Sequence, residues 1–104
     1  MRAKRNRKTP ESSFSAGDMF LTASGQLRKV VEVEFDKEGR NRVRYVAKGS
    51  KIKGQPFSEP YPYDNPPLES TFMKACCHRL SGEEVTHYLM IGVLTTSEVP
   101  SMYR

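Results

Sequence analysis

The feature that most narrows the folds open to this chain is a stretch of strict alternation that runs into a glycine turn. Leu27, Lys29, Val31, Val33 and Phe35 alternate with Arg28, Val30, Glu32 and Glu34, and a period of two rich in β-branched residues suits a half-buried strand. Lys37-Glu38-Gly39 follows. A three-residue loop of this kind ends at positive φ, a conformation that costs glycine little. The turn predicts a register in which Asp36 faces Arg40, Glu34 faces Arg42, Val33 faces Val43, Glu32 faces Arg44 and Val31 faces Tyr45. Two charge pairs then share one face and two apolar pairs the other, and a slip of one residue would set charges against apolar groups. The hairpin spans residues 27–48.

The rest of the chain is read around that hairpin. A length of 104 residues supports one small core. Residues 1–13 are polar and aperiodic and predict a disordered basic arm, leaving 14–104 as a single small domain. Gly17-Asp18 opens a first strand, Met19 to Thr22, closed by Ser24-Gly25. In residues 50–67, Pro56, Pro60, Pro62, Pro66 and Pro67 exclude a helix or a central strand. Phe57, Tyr61 and Tyr63 make that segment an ordered loop lying on the domain. Leu68, Phe72, Ala75, Cys76 and Leu80 recur at steps of three and four, with Ser81-Gly82 as a stop, and predict a helix over 68–80, with a strand as the alternative. From Val85 to Thr95, Val85, His87, Leu89, Ile91 and Val93 lie on one side of an extended chain and Tyr88, Met90 and Leu94 on the other. That predicts a strand over 85–95, apolar on both faces, at the centre of the sheet or at an interface. The fold class expected is mainly β or α+β: a small bent antiparallel sheet or SH3-like barrel of about four strands with one short helix.

The net charge of +5 is unevenly placed. Arg2, Lys4, Arg5, Arg7 and Lys8 supply five positive charges, and the 12 basic residues that remain of 17 equal the 12 acidic ones. Residues 28–53 carry nine basic side chains against Glu32, Glu34, Asp36 and Glu38.

Gly17-Asp18-Met19-Phe20, then Gly25 and Lys29-Val30-Val31-Glu32-Val33, resemble the opening of small SH3-like barrels of the KOW type. The likeness covers residues 16–49. A KOW element has a further glycine where this chain has Gln26-Leu27-Arg28, so the resemblance implies a fold and leaves that family's nucleic-acid role uncarried. A basic arm, a small barrel and a short helix are together similar to uncharacterised small proteins of phages and integron cassettes.

Two kinds of partner follow from these residues. Arg5, Arg7, Arg28, Lys29, Arg42 and Arg44, with Arg40 beside them, are candidates to neutralise phosphates, and Tyr45 to stack on a base. Glu32 and Glu34 oppose this by occupying two of the arginines. Tyr61, Tyr63, Tyr88, Met90 and Leu94 are candidates for a protein or homodimer interface. The function expected is a non-enzymatic binding module, protein-interacting or homo-oligomerising, with nucleic-acid binding as the alternative. Cys76, Cys77, His78 and His87 have no zinc-ligand spacing, and adjacent cysteines read as reduced thiols in a cytoplasmic protein. With no glycine-rich phosphate loop and no spaced carboxylate pair, no catalytic residue, metal or cofactor is assigned. No apolar run approaches the roughly 18 residues of a membrane span, and no apolar stretch follows the basic N-terminus as in a secretory signal.

Overall fold

The computed structural model describes residues 14–58, 66–76, 78–100 and 103. Its elements are β1 (Met19–Leu21), β2 (Gln26–Phe35), β3 (Asn41–Gly49), α1 (Glu69–Ala75), β4 (His78–Arg79) and α2 (Gly82–Met90), followed by a 3-10 turn at Thr96–Glu98. The four strands form one antiparallel sheet in the order β3-β2-β1-β4. The mainly β character with added helix is therefore as the alternation implied, in an open sheet.

The hairpin turn forms as its residues require. Gly39 has φ 80°, its N–H donates to Asp36 O at 3.0 Å, and Asp36 N donates to Arg40 O at 3.0 Å. Glu34 pairs with Arg42, Val33 with Val43 and Glu32 with Arg44. The expected pairing of Val31 with Tyr45 is corrected, because the register shifts between Val30 and Glu32 and Tyr45 faces Val30. Val31 is the extra residue of a β-bulge, and a bulge restarts the alternation one residue out of phase. Val30 and Val33 therefore share a face, while Leu27, expected beside Val33, lies on the opposite one.

That phase change gives the sheet two buried faces. Phe14, Phe20, Val30, Val43, Phe72 and Cys76 form one cluster beneath α1. Met19, Leu27, Leu80, Val85, Val93, Leu94 and Val99 form the other beneath α2 and the segment after it. Neighbours Met19 and Phe20 fall in different clusters because successive side chains of a strand point to opposite faces.

Two expectations about the C-terminal half are corrected. The helix expected over 68–80 is only α1, which ends at Cys76 with φ −99° and ψ 89°. The chain then extends into β4, and Leu80 N donates to Met19 O at 2.9 Å. The strand expected over 85–95 is the helix α2 and a turn. Ser81-Gly82, expected to stop a helix, starts one: Ser81 Oγ accepts from Glu84 N at 3.2 Å, and Glu84 Oε1 accepts from Ser81 N at 2.8 Å. This reciprocal capping satisfies two amide donors that the first helical turn leaves without partners. On a helix, Val85, Tyr88 and Leu89 face the core together while Thr86, His87 and Met90 face solvent. Gly92, at φ 83°, ends the helix, and Val93 N and Leu94 N both donate to Tyr88 O, at 3.0 and 3.1 Å. The two-sided apolar strand thus does not exist, and among the described residues there are two short helices instead of one.

The described ends of the proline-rich segment run along the outer edge of β3. Gly49 N donates to Gln55 Oε1 at 3.0 Å, Ala47 N to Ser58 Oγ at 3.1 Å, Ser58 N to Ala47 O at 2.9 Å and Val43 N to Pro67 O at 2.9 Å. These contacts occupy edge groups that would otherwise be open to another strand. The arm with Arg5 and Arg7, together with Tyr61, Tyr63 and Cys77, lies outside the described residues. Among the described residues no helix is long and apolar enough to cross a membrane.

Candidate functional site

The basic residues of the hairpin were the sequence's main candidates, and their positions follow from the bulged register. Glu32, Glu34, Arg42 and Arg44 share one face, and the ion pairs run diagonally across it. Arg44 Nε lies 2.6 Å from Glu34 Oε2 and 3.7 Å from Glu32 Oε2. Arg42 Nε lies 2.9 Å from Asp36 Oδ2, and its Nη1 donates to Pro66 O at 2.7 Å. Arg40 contacts Asp36 at 3.2 Å and also Glu38. The hydrogen bond from Arg44 holds the Glu34 carboxyl below its ordinary range. Backbone donation from Arg40, then the Arg42 side chain and the Glu38 amide, pull Asp36 down to about 2. A depression of about 190 Å³ beside this tip is lined by Asp36, Lys37, Glu38 and Arg42. Carboxylates thus engage both Arg42 and Arg44 within the fold.

Arg28 and Tyr45 are brought together on the opposite face. The Arg28 guanidinium sits 4.6 Å from the centroid of Tyr45 and 5.8 Å from that of Phe72. Its Nε donates to Gln26 Oε1 at 2.8 Å, and its Nη1 lies 3.9 Å from Cys76 Sγ. Tyr45 also packs on Phe72, with centroids 5.2 Å apart, so its ring is already engaged within the fold. A guanidinium over an aromatic face is a favourable internal contact.

The charged centre that the sequence did not single out is Lys48. Its side chain is 1% exposed. Nζ donates to Gln55 O at 2.7 Å, Val93 O at 2.7 Å, and Glu98 Oε1 and Oε2 at 2.9 and 3.0 Å. An ammonium has three protons, and here the two carbonyls and the carboxylate use all of them. Lys29 lies beside it, donating to Glu98 O at 2.7 Å. The Phe57 ring lies near both lysines, 4.8 Å from Lys29 Nζ and 4.7 Å from Lys48 Nζ. Burial pushes the Lys29 ammonium below its usual range, with Lys48 adding to that effect and Glu98 opposing it. Burial alone would raise Glu98, but hydrogen bonds from Lys48 and from the Thr95 amide bring it below the ordinary glutamate value. Lys48, Phe57 and Glu98 were missed because a lysine at the end of a strand reads as a solvated terminus. No local signal marked it: the unbulged register sets Lys48 opposite Arg28, and only the bulge at Val31 places it opposite Leu27 on a buried face.

The interface candidates separate. Leu94 is buried in the core, Tyr88 is half-buried against it and Met90 is 81% exposed. Cys76 is buried in the cluster beneath α1, whereas His87 is exposed on α2 and His78 pairs with Glu84 at 2.7 Å. Among the described residues no group of three or more His, Cys, Asp or Glu side chains is placed to hold a metal ion. Comparison with family models, with curated proteins and with solved structures finds no match to this chain.

Proposed function

We propose that this chain is a non-enzymatic binding module whose partner is a protein, engaged by its outer surface. The carrying observation is how its polar and apolar groups are used. Lys48, Arg42 and Arg44 are committed to carboxylates and carbonyls of the fold, while Met90 and Ile52 stand 81% and 53% exposed. Ionic groups consumed internally are poor ligands for phosphates, and exposed large apolar groups favour protein contact. Self-association through residues 85–95 loses its motive, since those residues form a helix with one buried side. The adjacent Cys76 and Cys77, read as reduced thiols, favour a cytoplasmic setting.

A second reading is nucleic-acid binding through the arm. It is favoured by the placement of charge, since Arg2, Lys4, Arg5, Arg7 and Lys8 carry as many positive charges as the whole net charge of +5. Light scattering of the full chain, alone and with duplex DNA or single-stranded RNA at low salt, tests both. A monomer that leaves both nucleic acids unbound is expected. Salt-sensitive complexes that disappear when residues 1–8 are removed would replace the first reading by the second.

A further inference from the structure

The turn after β3 and the end of α2 meet at one corner. Gly54 N donates to Gly92 O at 3.1 Å. The aliphatic stem of Lys53 lies over Gly92, with its Cδ 3.9 Å from where a Cβ would stand there. Ile52 folds partly over Gly49, yet its side chain remains 53% exposed, and Met90, two residues before Gly92, is 81% exposed. Lys51 and Lys53 are both exposed, and neither has a carboxylate partner among the described residues. Elsewhere on the hairpin Arg40, Arg42 and Arg44 each lie against a carboxylate. This corner combines two uncompensated ammonium groups with two large apolar side chains.

We infer that this corner is a docking surface for an acidic protein segment carrying apolar side chains. The inference rests on the protein-binding reading above and names its surface and the chemistry of its partner. Charge complementarity selects the occupant: carboxylates would meet Lys51 and Lys53, while an apolar side chain between them would cover Ile52 and Met90. A polynucleotide would answer the lysines and leave Ile52 and Met90 wet. A second copy of the chain would set the same four ammonium groups against one another, since a two-fold contact places identical patches together.

The test uses the full chain and a fluorescent synthetic peptide of alternating Asp and Leu, followed by polarisation. Saturable binding is expected. Met90→Asp and Lys51→Glu should each weaken it at least tenfold, while Met73→Asp, an equally apolar site on α1, should leave it unchanged. Melting temperatures should stay within about 3 °C of the parent, since exposed substitutions rarely alter stability. Oligo(dT) and phosphatidylserine vesicles should bind more weakly, and Met90→Ser, which adds no charge, should weaken the peptide while leaving that binding unchanged. Absence of saturable peptide binding, or loss on Lys51→Glu without loss on Met90→Asp, overturns the inference, as does tighter binding to either polyanion. Peptide binding that survives the corner variants but is lost on Phe35→Asp overturns the corner and leaves the broader protein-binding reading standing.

Discussion

The two faces of the sheet are closed by different chemistry. Beneath α1 the rings of Phe14, Phe20 and Phe72 meet edge to face, with centroids 5.2 to 5.6 Å apart, and Arg28 covers the neighbouring Tyr45. Beneath α2 the fully buried side chains are aliphatic, among them Met19, Leu27, Val85, Val93 and Val99, with the rings of Phe57, Tyr88 and Tyr103 only at the margin, and a buried ammonium sits in its wall. The difference follows from what covers each face. A seven-residue helix brings little side-chain area, so one large ring, Phe72 at 1% exposure, supplies most of the cover. The other face is covered partly by irregular chain, residues 93–99, whose carbonyls need donors when water is excluded. Lysines supply them: Lys48 reaches Val93 O, and Gln55 O beside it, while Lys29 reaches Glu98 O and the Glu98 carboxylate balances the buried charge.

Four experiments press on this contrast. Phe72→Ala should have the largest effect, about 4 kcal/mol by urea denaturation, because truncation of a buried ring leaves a cavity. Lys48→Ala should cost about 3 kcal/mol, since it leaves two carbonyls and a carboxylate without their donor. The sharper form is the double variant Lys48→Met with Glu98→Leu. Replacing both charges by apolar groups should recover more than half of that loss, and a double variant as unstable as Lys48→Ala would mean that shape, and not charge, holds this face. Gly39→Val should cost about 1–2 kcal/mol because a β-branched residue is strained at positive φ. An unchanged midpoint there would contradict the hairpin register that both faces share.

Acid provides the mildest probe. Glu98, Glu84 and Glu34 are each harder to protonate folded than unfolded, so their contributions are complete above the ordinary glutamate value of 4.5 and are lost as pH falls through the folded values. Asp36, ordinarily 3.8, is held at about 2 and releases its contribution last. Glu98 and Glu84 belong to the α2 side, where Glu84 caps the helix and Glu98 balances Lys48. Hydrogen exchange during acidification should therefore speed up at the amides of Val85 and Val93 before those of Val30 and Val43. Simultaneous loss at all four would show that the faces do not separate energetically.

Legibility in the sequence tracked the range of the interactions involved. Gly39, the alternation of β2 and β3 and the pairs Glu34–Arg42 and Glu32–Arg44 are decided within a few residues, and they stand where the residues imply. Val31 shows the limit. Its side chain and β propensity equal those of Val30 and Val33, and nothing local says which of three valines is pushed out of register. The segment 85–95 failed for a related reason: Val, Leu, Ile and Tyr in close succession satisfy both a period of two and one face of a helix. The deciding signal was Ser81 followed three residues later by Glu84, which marks a helix start, while Ser81-Gly82 alone suggested a stop.

The corner at Lys51, Ile52, Lys53 and Met90 and the clasp around Lys48 were beyond local reading altogether. Each joins residues about 40 or more positions apart in the chain, as Gly54 meets Gly92 and Lys48 meets Glu98. Composition and pattern alone determined the antiparallel hairpin, its turn and the placement of charge, because backbone geometry and cross-strand pairing act over short spans. Only the tertiary structure decided which lysine is buried and which is free, because a charge's environment is set by the segments that pack over it, and α2 with the chain beyond it covers one end of β3 while leaving the turn that follows exposed.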